Sequence, residues 1–268
     1  MLQIFQYTFM QRAFLVGTIV GVIAPLVGSF LVAKRYSALA DTLSHVSLVG
    51  VAAALVARVY PLFGAITASL IVSLGIEQLQ KLRTILSESI LAIFIYASLG
   101  IVSILVSVGS NFNNDLWSYL FGSLTTVTEE QIPVIWGIGI LVIICVIAFY
   151  RQLVAICLDS NLAQTSGIRS GIIGTLLLVI AALVVSVGLQ VVGGLLIGGL
   201  MILPVVASWQ FGLGFRSSIF LSTIFGIVAV WGGLIAAFYL NLATGGSIIL
   251  TSLLIFVISL LVNRLWVN

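Results

Sequence analysis

The chain has 268 residues, of which 62% are hydrophobic and only 6% charged, with a mean hydropathy of +1.34. A soluble domain carries about 25% charged residues, so this chain lacks the polar groups to cover itself in water, and lipid must solvate much of its surface. The net charge of +3 does not point to nucleic acid, because the ten basic residues stand singly or in pairs at the ends of apolar runs and form no patch.

The first fourteen residues lack the basic n-region and small-residue cleavage site of a signal peptide, so the first apolar segment is expected to stay as a span. A helix needs about 20 apolar residues to cross the hydrocarbon. Nine stretches qualify or nearly do: 13–33, 38–57, 60–76, 88–108, 132–150, 171–188, 190–208, 217–240 and 246–263. The pair 171–208 is nearly continuous and is expected to turn around Gly188-Leu189-Gln190. The architecture expected is all-α, a polytopic bundle of eight or nine spans forming one domain over 1–268. Eight spans with one re-entrant or interfacial helix is the alternative.

Loop charges orient this bundle. With 151–170 placed inside, Lys34, Arg35, Lys81, Arg83, Arg151, Arg169, Arg216 and Arg264 fall on the cytoplasmic side, and only Arg12 and Arg58 outside. The N-terminus is then out and the C-terminus in, with Asp115, Glu129 and Glu130 in an outer 109–131 loop. Gly17-x-x-x-Gly21 and Gly194-x-x-x-Gly198 suit close helix packing in lipid. Pro25 and Pro204, inside apolar runs, predict kinks or breaks.

The second stretch holds Asp41-Thr-Leu-Ser-His45, with the chain's only histidine. Asp41 and His45 are four apart and project from one helix face. Ionisable groups inside a span are expensive and face the interior, a cavity or each other. One reading is a transient metal station, since imidazole suits zinc and carboxylate suits harder ions such as manganese. The other is an Asp–His hydrogen bond that caps or packs the helix start. One chain offers two ligands where a closed zinc site wants four, and a two-fold dimer about this helix would double them.

Other chemistry is sparse. The sequence has no G-x-x-x-x-G-K-[ST] for ATP hydrolysis, no H-E-x-x-H and no G-x-S-x-G. Cys145 and Cys157 form neither a C-x-x-C motif nor a disulfide framework. Glu88 opens the fourth span, where the helix dipole favours an acid. The segment 158–167 reads as a short cytoplasmic helix, with Asp159 or Ser160 as N-cap and Gly167 as C′ residue. It is either a knob for docking another protein or an ordinary connection.

Four blocks resemble the permeases of the ABC-3 family. Lys34-Arg35-Tyr36-Ser37 with Asp41-Thr-Leu-Ser-His45 and Gly50 is similar to that family's R-R…D-A-L-S-H block. Leu120-Phe121-Gly122-Ser123 with Val127 and Glu129-Glu130 is similar to its L-F-G block. Asp159, Ala163 and Ser166-Gly167 resemble its cytoplasmic D-x-x-x-A-x-x-x-G segment, and Val191-Val192-Gly193, Leu200 and Leu203-Pro204 its V-V-G…L-x-x-P stretch. The resemblance implies a homodimeric permease of an ABC importer for divalent metal in the bacterial plasma membrane, multi-pass and not itself an enzyme. ATPase subunits would sit below it and a metal-binding protein outside. It makes Asp41 and His45 the metal-contacting pair, and Asp159, Leu162, Ala163 and Gly167 the ATPase-coupling residues. Where many members carry an acid in a D-[LI]-P-[ST]-G turn, this chain reads Asn241-Leu-Ala-Thr-Gly245. That departure favours zinc as the expected cargo, with manganese or iron as the alternative, or else marks a different arrangement of the site. An ion-coupled secondary transporter is the rival class; it calls for ionisable residues at the midplane of several helices.

Overall fold

The computed structural model describes residues 6–81, 86–108, 113–123 and 128–267. Among them it contains helices α1 (Thr8–Ala33), α2 (Ser37–Ala57), α3 (Pro61–Lys81), α4 (Ser87–Val108), α5 (Asn113–Phe121), α6 (Gln131–Ala148), α7 (Tyr150–Leu158), α8 (Ser160–Thr165), α9 (Ser170–Val192), α10 (Ile197–Trp209), α11 (Phe215–Leu240) and α12 (Thr244–Val267), and no strand. Among the described residues eight helices are long and apolar enough to span a bilayer: α1 to α4, α6, α9, α11 and α12. In hydrocarbon each backbone N–H and C=O must find its partner within the protein, which a helix provides for itself.

The seventh expected stretch is the exception. Within it α10 has 13 residues, about 20 Å of helix, and the four residues before it leave the helical path. The turn falls at Gly193–Leu196, and Gly188, expected to form it, lies inside α9. Gly188 packs on Val20 and Ile197, and Gly28 on the Met201 backbone, so α10 runs parallel to α1. The chain therefore crosses a ninth time, by an unwound segment and a half-length helix.

Three other expectations shift. The fifth span ends at Ala148, and α7 follows it as a separate amphipathic helix burying Leu153 and Ile156. The outer segment 109–131 contains α5 rather than only a loop. Helix α3 extends past residue 76 to take in Glu77, which pairs with Lys81 at 2.7 Å. Neither proline breaks its helix: α1 continues through Pro25 and α10 through Pro204.

The two ends of the bundle carry the charges as the topology requires. At one end Arg12 pairs with Glu129, and the Tyr60 hydroxyl donates to Glu130 at 2.6 Å. At the other, Lys34, Lys81, Gln164 and Ser170 line one cavity. Arg83 lies outside the described residues.

Burial sorts the helices. The apolar windows of α1 and α9 are 72% and 67% buried, that of α4 only 17%, so α1 and α9 form the interior and α4 offers its side chains to lipid. Glycine sets the tightest approach. Gly50 on α2 and Gly64 on α3 lie backbone to backbone, and a Cβ on either would overlap the other's carbonyl oxygen. This is the packing by which helices associate where lipid removes the hydrophobic drive.

Candidate functional site

Helix α2 presents a stripe at Ala38, Asp41, His45, Val49, Ala53 and Val56, spaced by three and four residues and exposed or half-buried in the single chain. Asp41 and His45 stand together on it and interact electrostatically. The helix start does not depend on them: Tyr36 is its N-cap, with no side-chain cap hydrogen bond. The capping role is therefore not the one the pair performs.

The opposite face of α2 fixes which way this stripe points. Ser47 is fully buried and its hydroxyl lies 2.6 Å from that of Ser69 on α3. Ser186 on α9 donates to Ser69 at 3.0 Å. Three hydroxyls thus tie α2, α3 and α9 at depth. Nothing in the residue pattern signals this cluster, because a lone serine in a span also bonds back to its own helix, as Ser69 does to Ala65 O and Ser186 to Ala182 O.

The carboxylate of Asp41 meets the start of α10. Its Oδ1 lies against the Cα of Gly198, where a Cβ would overlap it. Gly198 is in the first turn of α10, and a helix N-terminus favours a negative charge. The unwound segment that delivers this turn is held by α5. Gly194 N–H donates to Tyr119 O at 2.8 Å and Leu195 N–H to Leu120 O at 3.2 Å. Gly193, at φ +92, packs against Leu120 O and Gly122 N, leaving no room for a side chain. Discontinuous helices at membrane depth line transporter sites, and there a half-helix N-terminus holds an anionic group, here the Asp41 carboxylate. Among the described residues no three His, Cys, Asp or Glu side chains converge, so this chain brings two candidate ligands.

Asn241 closes α11 in the left-handed conformation with its side chain exposed. Four residues on, Gly245 packs on Val192 O and Phe121 O. The turn belongs to the outer junction of α5, α9 and α12, while Asp41 sits at the far side of the unwound segment.

At the cytoplasmic end α8 has the capping anticipated for it. Asp159 is extended, and its Oδ1 accepts the Leu162 N–H at 3.2 Å. Gly167, at φ +83, ends the helix, with Ile168 N–H donating to Ala163 O at 3.0 Å. Ala163 is buried, whereas Leu158 and Leu162 are 82% and 66% exposed, an apolar pair raised on a capped knob. Burial also pushes the Cys157 thiol up to about 11; the thiol donates to Phe30 O at 3.4 Å.

The model of the ABC 3 transport family matches residues 6–263. The chain belongs to that family. It is 32% identical to the manganese import system permease protein ScaB of Streptococcus gordonii, over 94% of this chain and 91% of that protein. It is 31% identical to the high-affinity zinc uptake system membrane protein ZnuB of Buchnera aphidicola, over 93% of this chain and 98% of that protein. The structure of PsaBC from Streptococcus pneumoniae in complex with Fab superposes with a TM-score of 0.85 at 30% identity, covering 94% of this chain and 91% of the other. The chain is thus a multi-pass permease of the bacterial plasma membrane, and ATP hydrolysis lies in a separate subunit.

Proposed function

We propose that this permease imports a divalent transition metal, zinc in the first instance, through a path that passes Asp41 and His45. The observation carrying this reading is the placement of that pair on one exposed stripe of α2, with the carboxylate against the first turn of the broken helix α10. Two ligands per chain are too few for a closed zinc site, so a second copy facing this stripe completes the set in a homodimer. A site shared this way binds weakly enough to release its ion, as a waypoint must.

ATPase subunits dock on the cytoplasmic face through α8 and the end of α7, where Leu162 and Leu158 stand exposed, and their closure switches the dimer between outward and inward access. An extracytoplasmic metal-binding protein delivers at the opposite end. Imidazole favours zinc; the likeness to a manganese permease favours manganese as the second reading. Asn241, standing where many members of the family carry an acid, supports zinc in the same direction as the imidazole.

Zinc and manganese uptake by cells expressing the complete complex, compared with His45→Ala, tests the path. Loss of uptake with assembly intact supports it; unchanged uptake for both metals removes it. For the knob, Leu158→Asp with Leu162→Asp is expected to lose the co-purifying ATPase. Retained ATPase defeats that role.

A further inference from the structure

A groove of about 440 Å³ lies on the cytoplasmic half of the outer wall, where the α6–α7 joint and the start of α11 converge over α1. Its wall is apolar, with Leu26, Ile147 and Ile219, and its mouth holds Tyr150, Arg151 and Arg216. Among the described residues no acidic side chain lines it. Among the described residues neither guanidinium has an ion-pair partner within the chain. Arg216 is in the first turn of α11, where the helix dipole disfavours a cation, so the local helix does not account for its charge. Ile147 is 70% exposed, and above it Ile144, Ile140 and Leu141 continue the same open apolar surface along α6.

We infer that this groove binds an anionic phospholipid of the cytoplasmic leaflet, with its phosphate between Arg151 and Arg216 and an acyl chain along Ile147 and Ile219. Both parts of the ligand are complementary to the groove. Guanidinium recognises phosphate through paired N–H donors, and basic pockets between spans on the cytoplasmic side suit lipid head groups. A soluble anion would leave the apolar wall uncovered. A zwitterionic lipid would bring a cation to a mouth that already holds two.

Native mass spectrometry of the full chain, purified in mild detergent in the complex it forms, tests the inference. The probes are phosphatidylglycerol, phosphatidylcholine with the same chains, and inorganic phosphate. Phosphatidylglycerol is expected to be retained and the other two not. Each arginine contributes about fivefold in lipid affinity, so Arg151→Gln with Arg216→Gln is expected to lose roughly 30-fold. Arg264→Gln, another cytoplasmic arginine, is expected to leave retention as it is. Should the double variant fail to fold, Ile147→Trp fills the groove with both charges intact and is expected to lower retention as well. Equal retention of phosphatidylcholine, displacement of phosphatidylglycerol by phosphate, or full retention in Ile147→Trp overturns the inference. So does a chain that binds lipid alone but loses it when the ATPase is present, since protein would then cover the arginines.

Discussion

Oδ1 of Asp41 rests on the Cα of Gly198, joining the acid of α2 to the first turn of α10. Among the described residues a methyl group at Gly198 would overlap that side chain, which can swing away, and would lie no closer than 3.7 Å to backbone outside its own helix. Gly198→Ala is therefore expected to leave thermal stability nearly unchanged. Uptake should fall at least about tenfold, the scale of one lost contact of 1.4 kcal/mol. Uptake equal to wild type would mean that the position of the Asp41 carboxylate is irrelevant.

The outer junction predicts the opposite pattern. A side chain at Gly193 would strain a backbone at φ +92 and overlap Leu120 O, and one at Gly245 would overlap Val192 O. Gly193→Ala and Gly245→Ala are each expected to cost roughly 2 kcal/mol or more. Gly246, where a Cβ would meet nothing within 4 Å among the described residues, is the control, and Gly246→Ala should unfold with the wild type. Thermal unfolding in detergent compares the three.

The serine cluster is expected to be worth little in energy. Interhelical hydrogen bonds in membranes average about 0.6 kcal/mol, reaching about 1.7. A double-mutant cycle of Ser69→Ala and Ser186→Ala should give a coupling in that range. A larger loss of uptake than of stability would identify the cluster as what orients the stripe carrying His45. Proportional losses would leave it a packing contact.

Cys157 supplies a pH test. Its thiol is held at about 11 against an ordinary 9.0 because burial disfavours the thiolate. The thiolate is the nucleophile, so alkylation at pH 8 should run about a hundredfold slower than for a free thiol. The rate should rise about tenfold per pH unit toward 11. Because the folded pKa lies above the unfolded one, the folded chain keeps the proton longer. Its contribution to stability is complete below pH 9.0 and is lost as pH climbs through about 11. Rapid labelling at pH 8 would show the thiol to be open to water.

The sequence by itself determined the solvent, the apolar stretches and which charges gather at the same end of the bundle. Those follow from counting apolar residues against bilayer thickness and from the side on which Lys34, Arg151 and Arg216 fall, both properties of the chain read in one dimension. The caps of α8 were legible for the same reason, since Asp159 and Gly167 act on backbone atoms within a few residues. The shared face of Asp41 and His45 needed only the helical repeat. Tertiary structure decided the rest. Both 190–208 and its neighbours are apolar, so hydropathy could not tell a full span from an unwound segment and a half-length helix. That break exists because Tyr119 and Leu120 accept the hydrogen bonds of Gly194 and Leu195, partners distant in sequence. Nor could local pattern reveal that Ser47, Ser69 and Ser186 meet, or that Gly198 makes room for Asp41: each depends on where another helix lies, and only the packed bundle specifies that.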